Sequence, residues 1–352
     1  MSKIRVLIVD DSPTVCQLFE KGLSRASGIE VIGVAPDPFV ARDMIVKDPP
    51  DVVTLDIEMP RMDGLTFLRK LMKHFPLPVV VVSTLAKEGG AKAIEALECG
   101  AVEVVEKNMG EDRVNDLMLE IVRKVRSAAA AKVRRKAIGT QQMASKAARP
   151  QPLKALKSAA GNQVLAIGAS TGGTEALSRI FERLPADTPG TLVVQHMPPG
   201  FTAQMADRLN TQSAMTVREA QGGEYLEQGL ALIAPGDHHL VLRKAGNRFR
   251  VELRSGPRVT RHKPSVDVLF STVAEVAGEL AVGVILTGMG RDGAAGMKKL
   301  HDAGGHTIAQ DEESCVVYGM PREAVELGGV DEVSPLSRIA EKACKALAAV
   351  KV

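Results

Sequence analysis

Short apolar runs alternate with segments of helical periodicity along residues 1–122. The runs "KIRVLIVDD", "VIGVAPD", "DVVTLDIEMP", "PVVVVSTLA" and "AVEVVEK" are rich in β-branched residues and are bounded by Asp, Pro or Gly. Between them, segments such as "TVCQLFEKGLSRA", "PFVARDMIVKD", "GLTFLRKLMKHF" and "GGAKAIEALECG" space their apolar residues as helices do. Unbroken apolar strands separated by helices predict βαβ units around a parallel sheet. Five strands and five helices in about 120 residues predict a flavodoxin-like, doubly wound domain.

The pattern stops between residues 123 and 160. That stretch is rich in Ala, Ser, Lys, Arg and Gln, has almost no large apolar residues, and contains "ARPQP", which disfavours helix. It reads as a connector whose first part extends the preceding helix. A second α/β rhythm occupies residues 161–352. It runs through "QVLAIGAS", "TLVVQHMPP", "ALIAPGD", "LAVGVILTGMG" and "GHTIAQD", with helices between and a helix at the end. The piece "DHHLVLRKAGNRFRVELR" instead alternates around a Gly-Asn pair and predicts an antiparallel hairpin. The expected second domain is a doubly wound, mostly parallel sheet with that hairpin near one edge. Two domains also suit a chain of 352 residues.

Composition narrows the setting. Aromatics make up only 3% of the chain and Trp is absent, so Val, Leu, Ile, Ala and Met must fill the cores. The four cysteines, Cys16, Cys99, Cys315 and Cys344, form no C-x-x-C pair, which speaks against a disulfide framework and suits a reducing cytosol. No stretch approaches the ~18–20 apolar residues that span a bilayer, and the opening apolar run is too short for a signal peptide. A soluble, cytoplasmic protein without membrane insertion is expected. Eleven of the 45 basic residues lie between Arg123 and Lys157, where acids are absent, so the rest of the chain carries fewer basic residues than its 42 acids. The basic charge is assigned to the connector, and a solvated linker explains it better than a nucleic-acid contact.

Candidate chemistry in the first domain sits at strand ends. Asp10 and Asp11 follow "VLIV", Asp56 follows "VVTL", Ser83 ends the fourth strand and Lys107 the fifth. The carboxyl ends of parallel strands form the ligand crevice of such a sheet, so these groups should converge. Clustered carboxylates repel unless a cation joins them, and Mg²⁺ favours an oxygen-only, hydrated site. A carboxylate nucleophile, a divalent cation, a hydroxyl and a lysine suit formation of an acyl phosphate. With "VDDS", "TLDIEMPRMDG", "VVVVST" and "VEK" in place, residues 1–122 resemble the receiver domain of bacterial response regulators. The resemblance implies that Asp56 accepts the phosphoryl group. It also implies that Asp10, Asp11, Asp56 and the backbone carbonyl of Glu58 hold Mg²⁺, and that Ser83 and Lys107 form the switch. Two positions depart from that family: Asn108 stands where Pro usually follows the lysine, and Val104 where an aromatic switch residue is usual.

In the second domain, "GASTG" at 168–172 satisfies G-x-S-x-G between an apolar strand and a helix. No lysine follows Gly172 or Gly173, so a phosphate loop is excluded. A plain glycine turn, with Ser170 as a helix cap, stays open on this segment alone. A serine nucleophile needs a base and an orienting acid. His196 ends the next apolar strand, and Asp292 follows the buried strand and glycine loop of "GVILTGMGRDG". His238 and His239 start the hairpin and are weaker candidates, while His262, His301 and His306 lie in polar or glycine-rich segments. The order Ser170, His196, Asp292 differs from the Ser-Asp-His order of α/β-hydrolases, which places the same constellation on a different sheet.

The motifs "IGASTGG", "QHMP", "APGDHHL", "HKPSVDVLF" and "LTGMGRDGAAGM" resemble the catalytic domain of chemotaxis protein-glutamate methylesterases. That resemblance implies Ser170 as nucleophile, His196 as general base and acid, and Asp292 as orienting carboxylate. The backbone N–H groups of Thr171 and Met289 are the implied oxyanion donors, with no cofactor at this site. The implied substrates are glutamate γ-methyl esters on the cytoplasmic helices of chemoreceptors, with deamidation of receptor glutamines besides. A chemotaxis histidine kinase is the implied phosphodonor, and the esterase is expected to be activated by phosphorylation. The alternative is a response regulator whose output domain is non-catalytic or binds nucleic acid. Residues 161–352 offer no small basic helical domain for the latter, and no nucleic acid is expected as partner.

Overall fold

A computed structural model describes residues 2–84, 87–107, 110, 113–133, 151–156 and 162–350. Asn108 and most of the connector, residues 134–150 and 157–161, lie outside the described residues. The chain divides into two compact units, Met1–Ala147 and Ala148–Val352.

In the first unit, strands β1 (Ile4–Val9), β2 (Ile29–Ala35), β3 (Val52–Asp56), β4 (Val79–Ser83) and β5 (Glu103–Glu106) pair in parallel in the order β2-β1-β3-β4-β5. Helices α1 (Pro13–Ser24), α2 (Pro38–Lys47), α3 (Gly64–His74), α4 (Lys87–Cys99) and α5 (Val114–Ala129) connect and flank them. The apolar residues of β1 from Val6 onward, and those of β3 and β4, are buried because helices cover both faces of the sheet. Two side chains fix helix starts. Asp37 accepts the N–H groups of Phe39 and Val40 at α2, and Asp63 accepts that of Thr66 at α3; such caps are each worth about 1 kcal/mol.

Helix α5 continues past residue 122 into the basic stretch. Lys124 there is no connector charge: it is buried and donates to Glu103 Oε2 at 2.5 Å. Arg126, on the same helix, reaches the carbonyl of Ser27 at 3.0 Å. Part of the charge assigned to a solvated linker therefore belongs to the packing of the first unit.

The second unit is built on seven parallel strands. In chain order these are β6 (Val164–Ala169), β7 (Thr191–Gln195), β8 (Thr216–Glu219), β9 (Leu230–Ile233), β12 (Ala281–Ile285), β13 (His306–Gln310) and β14 (Glu332–Ser334). Their spatial order is β14-β13-β12-β6-β7-β9-β8. Helices α6 (Gly173–Phe181), α7 (Phe201–Gln212), α8 (Val266–Val276), α9 (Ala294–Asp302), α10 (Met320–Glu326) and α11 (Leu336–Ala349) complete the layers.

The predicted hairpin, β10 (His239–Ala245) with β11 (Arg248–Arg254), is antiparallel but forms a two-stranded sheet of its own. It is not an edge of the large sheet. Its apolar face, including Leu240, Leu242 and Val251, joins the core cluster that also holds Leu269, Phe270 and Val273 of α8. The short strands β8 and β14 were not expected. Each has only three or four residues and little periodicity of its own, and each completes an edge.

Candidate active site

Two groups of chemistry-bearing residues form, one in each unit, both at C-terminal strand ends. In the first unit, Asp10 follows β1, Asp56 ends β3 and Lys107 follows β5. Oxygens of Asp10, Asp11 and Asp56 lie within 4.8 Å of one another, Asp11 exposed and the other two buried. Lys107 Nζ donates to Asp10 Oδ2 at 2.8 Å and to Asp56 Oδ2 at 2.6 Å. Burial pushes the Asp56 carboxyl above the ordinary carboxylate range, and Lys107 opposes this only in part. Burial also works against the charge on Lys107, but Asp10 and Asp56 outweigh it and hold the ammonium above the usual lysine value.

Nearby, the Glu58 N–H donates to Asp56 Oδ1 at 3.3 Å, and the Ser12 N–H donates to Asp10 Oδ1 at 2.9 Å. Ser83 ends β4 with its side chain buried and its Oγ 3.4 Å from the Thr84 carbonyl. Three carboxylates against one ammonium leave excess negative charge on an all-oxygen donor set. That set fits Mg²⁺, which takes few carboxylates and keeps several waters.

In the second unit, Ser170 follows β6, His196 follows β7, and Asp292 lies in the loop after β12. Strands β7 and β12 flank β6 on opposite sides, so the three residues lie along one edge of the sheet, where connections leave in opposite directions. The ends of β6 and β7 are tied together. The His196 N–H donates to the Ala169 carbonyl at 3.1 Å, and Gln195 Nε2 donates to the carbonyls of Ser170 at 2.8 Å and His196 at 3.3 Å.

The turn after β6 explains the small residues around Ser170. Gly172 has φ +76°, and a Cβ there would lie 2.5 Å from Val316 Cγ2. Gly288, in the β12 loop, comes so close that a Cβ would lie 2.7 Å from Ser170 Cβ. Thr287 in that loop accepts the Ser170 N–H at its carbonyl (3.0 Å) and donates its hydroxyl to the Thr171 carbonyl (2.9 Å). Met289, the other implied oxyanion donor besides Thr171, is the partly exposed residue next to Gly288.

His196 and Asp292 form a buried pair, with Nε2 to Oδ2 at 2.7 Å. Asp292 in turn sits at the N-terminus of α8. It accepts the Ser265 hydroxyl at 2.7 Å, the Val266 N–H at 2.8 Å and the Asp267 N–H at 3.2 Å. Helix N-termini suit an acceptor of this kind, and these three donors fix which oxygen faces His196.

The sequence pattern missed the residues that hold this pair. Ser265 is both the α8 cap and a donor to Asp292; a Ser just before an apolar helical run is the legible half of that signal. His239, a weak candidate for the site, holds the segment before α8 instead. Its Nδ1 accepts the Ser265 N–H at 3.2 Å and its Nε2 donates to the Pro257 carbonyl at 3.0 Å. His262, set aside as a residue of a polar segment, stacks on His196, and no local pattern announces that contact. His301 pairs with Asp331 at 3.0 Å, and His306 lies 3.7 Å from the same residue. Among the described residues, no helix is long and apolar enough to cross a membrane.

Comparison with known proteins gives matches to each part. Residues 165–343 match the family described as CheB methylesterase, and residues 6–118 match the response regulator receiver domain. A protein-glutamate methylesterase/protein-glutamine glutaminase of Syntrophus aciditrophicus is 52% identical over 344 residues, 97% of this chain and 98% of that one. The protein of the same name from Escherichia coli is 49% identical over 347 residues, 97% of this chain and 96% of that one. The crystal structure of the Thermotoga maritima CheB methylesterase catalytic domain superposes with a TM-score of 0.52 at 41% identity, covering 53% of this chain and 99% of that one.

Proposed function

The chain belongs to the CheB methylesterase family, with a response-regulator receiver ahead of the hydrolase, and on that premise we propose that Ser170, His196 and Asp292 hydrolyse glutamate γ-methyl esters on chemoreceptors. The same site deamidates receptor glutamines, because both reactions pass through a tetrahedral adduct at a γ-carbonyl. Residues 1–122 are the receiver, 123–160 the linker and 161–352 the catalytic domain of a cytoplasmic enzyme. The observation that carries the reading is the 2.7 Å contact of His196 Nε2 with a carboxylate held at a helix N-terminus, one strand away from Ser170. A non-catalytic or nucleic-acid-binding output has no comparable support, since the second unit matches a methylesterase family.

Asp292 accepts a hydrogen bond from Nε2–H, so Nδ1 carries the lone pair of the neutral ring. Ser170 Oγ attacks the ester carbonyl and gives its proton to Nδ1. The tetrahedral oxyanion is held by the N–H groups of Thr171 and Met289. Collapse breaks the bond to the methoxy oxygen, which leaves as methanol with the proton from Nδ1. Water then adds to the acyl-serine, again losing a proton to Nδ1. The second collapse releases glutamate and returns that proton to Ser170. A glutamine substrate follows the same course with ammonia as the leaving group. Throughout, Asp292 stabilises the imidazolium that forms in each step.

Control lies in the first unit. A chemotaxis histidine kinase supplies the phosphoryl group, and Asp56 Oδ attacks its phosphorus in line as the bond to the kinase's histidine nitrogen breaks and the histidine leaves. Asp10, Asp11, Asp56 and the Glu58 carbonyl would hold Mg²⁺, which supplies charge neutralisation when bound. Lys107 bonds Asp10 and Asp56 before phosphorylation and is placed to pair with the phosphoryl oxygens afterwards, with Ser83 as the switch hydroxyl.

The test is methanol release from methylated receptor membranes, with and without acetyl phosphate and Mg²⁺, for the parent chain and Asp56→Asn. The phosphodonor should raise the parent's rate and leave the variant at its basal rate. No release from the parent under either condition refutes the substrate. Equal stimulation of both chains refutes control through Asp56.

A further inference from the structure

The catalytic imidazole is held on one edge and on one face. Asp292 takes the edge, through Nε2. The ring of His262 covers the face: the two imidazole centroids are 3.7 Å apart and the planes differ by 3°. One stretch of chain, residues 259–267, supports both contacts: it carries His262 near its start and the donors to Asp292 at its end.

That stretch begins with a tight turn. The Val259 N–H donates to the His262 carbonyl at 3.0 Å, and the His262 N–H donates to the Val259 carbonyl at 2.8 Å. The two residues between them, Thr260 and Arg261, have φ of +50° and +69°. A two-residue turn with both φ values positive is ordinarily made from Asn-Gly. A β-branched residue in this region is an outlier, and such strain persists where surrounding contacts over-determine the geometry.

Several contacts do so. Thr260 Oγ1 donates to Asp267 Oδ2 at 3.0 Å, and Asp267 Oδ1 accepts the Gly296 N–H at 2.8 Å. His239 pins the segment from the hairpin side, through Pro257 and Ser265. The Asp267 N–H donates to Asp292 Oδ1. Strain at Thr260 and Arg261 is thus held so that one ring is presented to another.

We infer that His262 is a positioning residue for His196, latched by Thr260 and Asp267, and that it acts through the face of its ring rather than by moving a proton. An imidazole held at Nε2 can still swing about that hydrogen bond. A flat neighbour removes the swing and keeps Nδ1 on the line to the ester carbon and its leaving group. It also keeps water off that face while the imidazolium exists, and an aromatic face is a favourable neighbour for a cation. A catalytic group displaced by about 1 Å loses about 10²-fold in rate, which is the scale of effect that positioning controls.

The inference rests on the reading of Ser170 and His196 as the reacting pair, and a parent chain that releases no methanol refutes that reading rather than this one. With an active parent, full-length His262→Ala, His262→Phe and Thr260→Val are compared by kcat and KM for methanol release and by melting temperature. His262→Ala should lower kcat about 10–100-fold with KM within about twofold of the parent. His262→Phe keeps a flat ring without a titrating group and should return kcat to within about threefold of the parent. Thr260→Val keeps the shape, removes the latch and should lower kcat about three- to tenfold, again without moving KM. An Ala variant with the parent's kcat, a Phe variant as impaired as Ala, or a loss confined to KM each overturns the inference. Should the Ala variant fail to fold, the Phe and Val variants decide it: Phe must stay near the parent and Val must fall below it.

Discussion

Replacing Asp292 with Asn keeps the size of the side chain and removes the property that matters. The carboxylate accepts four hydrogen bonds, from Ser265 Oγ, the N–H groups of Val266 and Asp267, and His196 Nε2. An amide has one accepting oxygen. If that oxygen faces His196 and Val266, the amide NH₂ meets the Asp267 N–H, a donor against a donor. If the amide is reversed, the NH₂ faces His196, and the imidazole must carry its proton on Nδ1, the nitrogen proposed to receive one from Ser170. Either orientation also loses the charge that stabilises the imidazolium. At 2.7 Å with an effective dielectric near 20, that attraction is worth about 6 kcal/mol. Exchange of the acid for an amide in a Ser-His-Asp triad costs about 10⁴ in kcat, or about 5.4 kcal/mol, the same scale. Asp292→Asn should therefore lower kcat for methanol release about 10³–10⁴-fold, with KM nearly unchanged because the carboxylate touches no substrate atom. The assay is initial-rate methanol release by the phosphorylated full chain, with melting temperature as the control for folding. A variant that keeps kcat within about tenfold of the parent, while folding normally, refutes the role given to Asp292.

Three further outcomes follow from packing and charge. Gly288→Ala puts a Cβ 2.3 Å from Met320 Sδ and 2.7 Å from Ser170 Cβ, so it should destabilise the second unit by about 1–3 kcal/mol in denaturant melts and depress kcat by displacing Ser170. Lys124→Met leaves Glu103 buried without its ammonium and should cost the first unit about 3–5 kcal/mol, read as a drop in denaturation midpoint. For Asp331, burial opposes ionisation, but the Thr307 hydroxyl and N–H and the nearby His301 outweigh it and hold the carboxyl below its ordinary value. Its contribution to stability is present above the unfolded value of about 3.9 and is lost as pH falls through the lower folded value. Asp331→Asn should thus melt below the parent at pH 7, and the gap should close as the pH falls below about 4.

The large sheets are legible in the sequence because parallel strands covered on both faces are written as unbroken apolar runs. The positions of Ser170, His196 and Asp292 follow from the same fact: the first two stand where such runs end, the third lies in the loop after one, and parallel strands end along one edge. What the pattern does not carry is any contact set by the path of the chain between strands. His262 and Ser265 lie in a segment whose spacing is neither helical nor alternating, and only the hairpin behind it and α8 after it fix where it goes. The hairpin itself is readable as two alternating strands around a Gly-Asn pair. Its separation from the large sheet is not readable, because register and neighbours depend on what packs across it. Charge composition misleads at Lys124 for a related reason. Its neighbours in sequence are a basic connector, but its neighbour in space is Glu103.

On the proposed reading, Ser170 is the nucleophile of a receiver-controlled esterase. Methanol release from methylated receptor membranes by the parent chain and by Ser170→Ala, both with acetyl phosphate and Mg²⁺, tests it most directly. The parent should release methanol steadily, and the variant should be slower by at least about 10³-fold at an unchanged melting temperature. A variant within about tenfold of the parent would contradict it, because water or another side chain would then have to be attacking the ester.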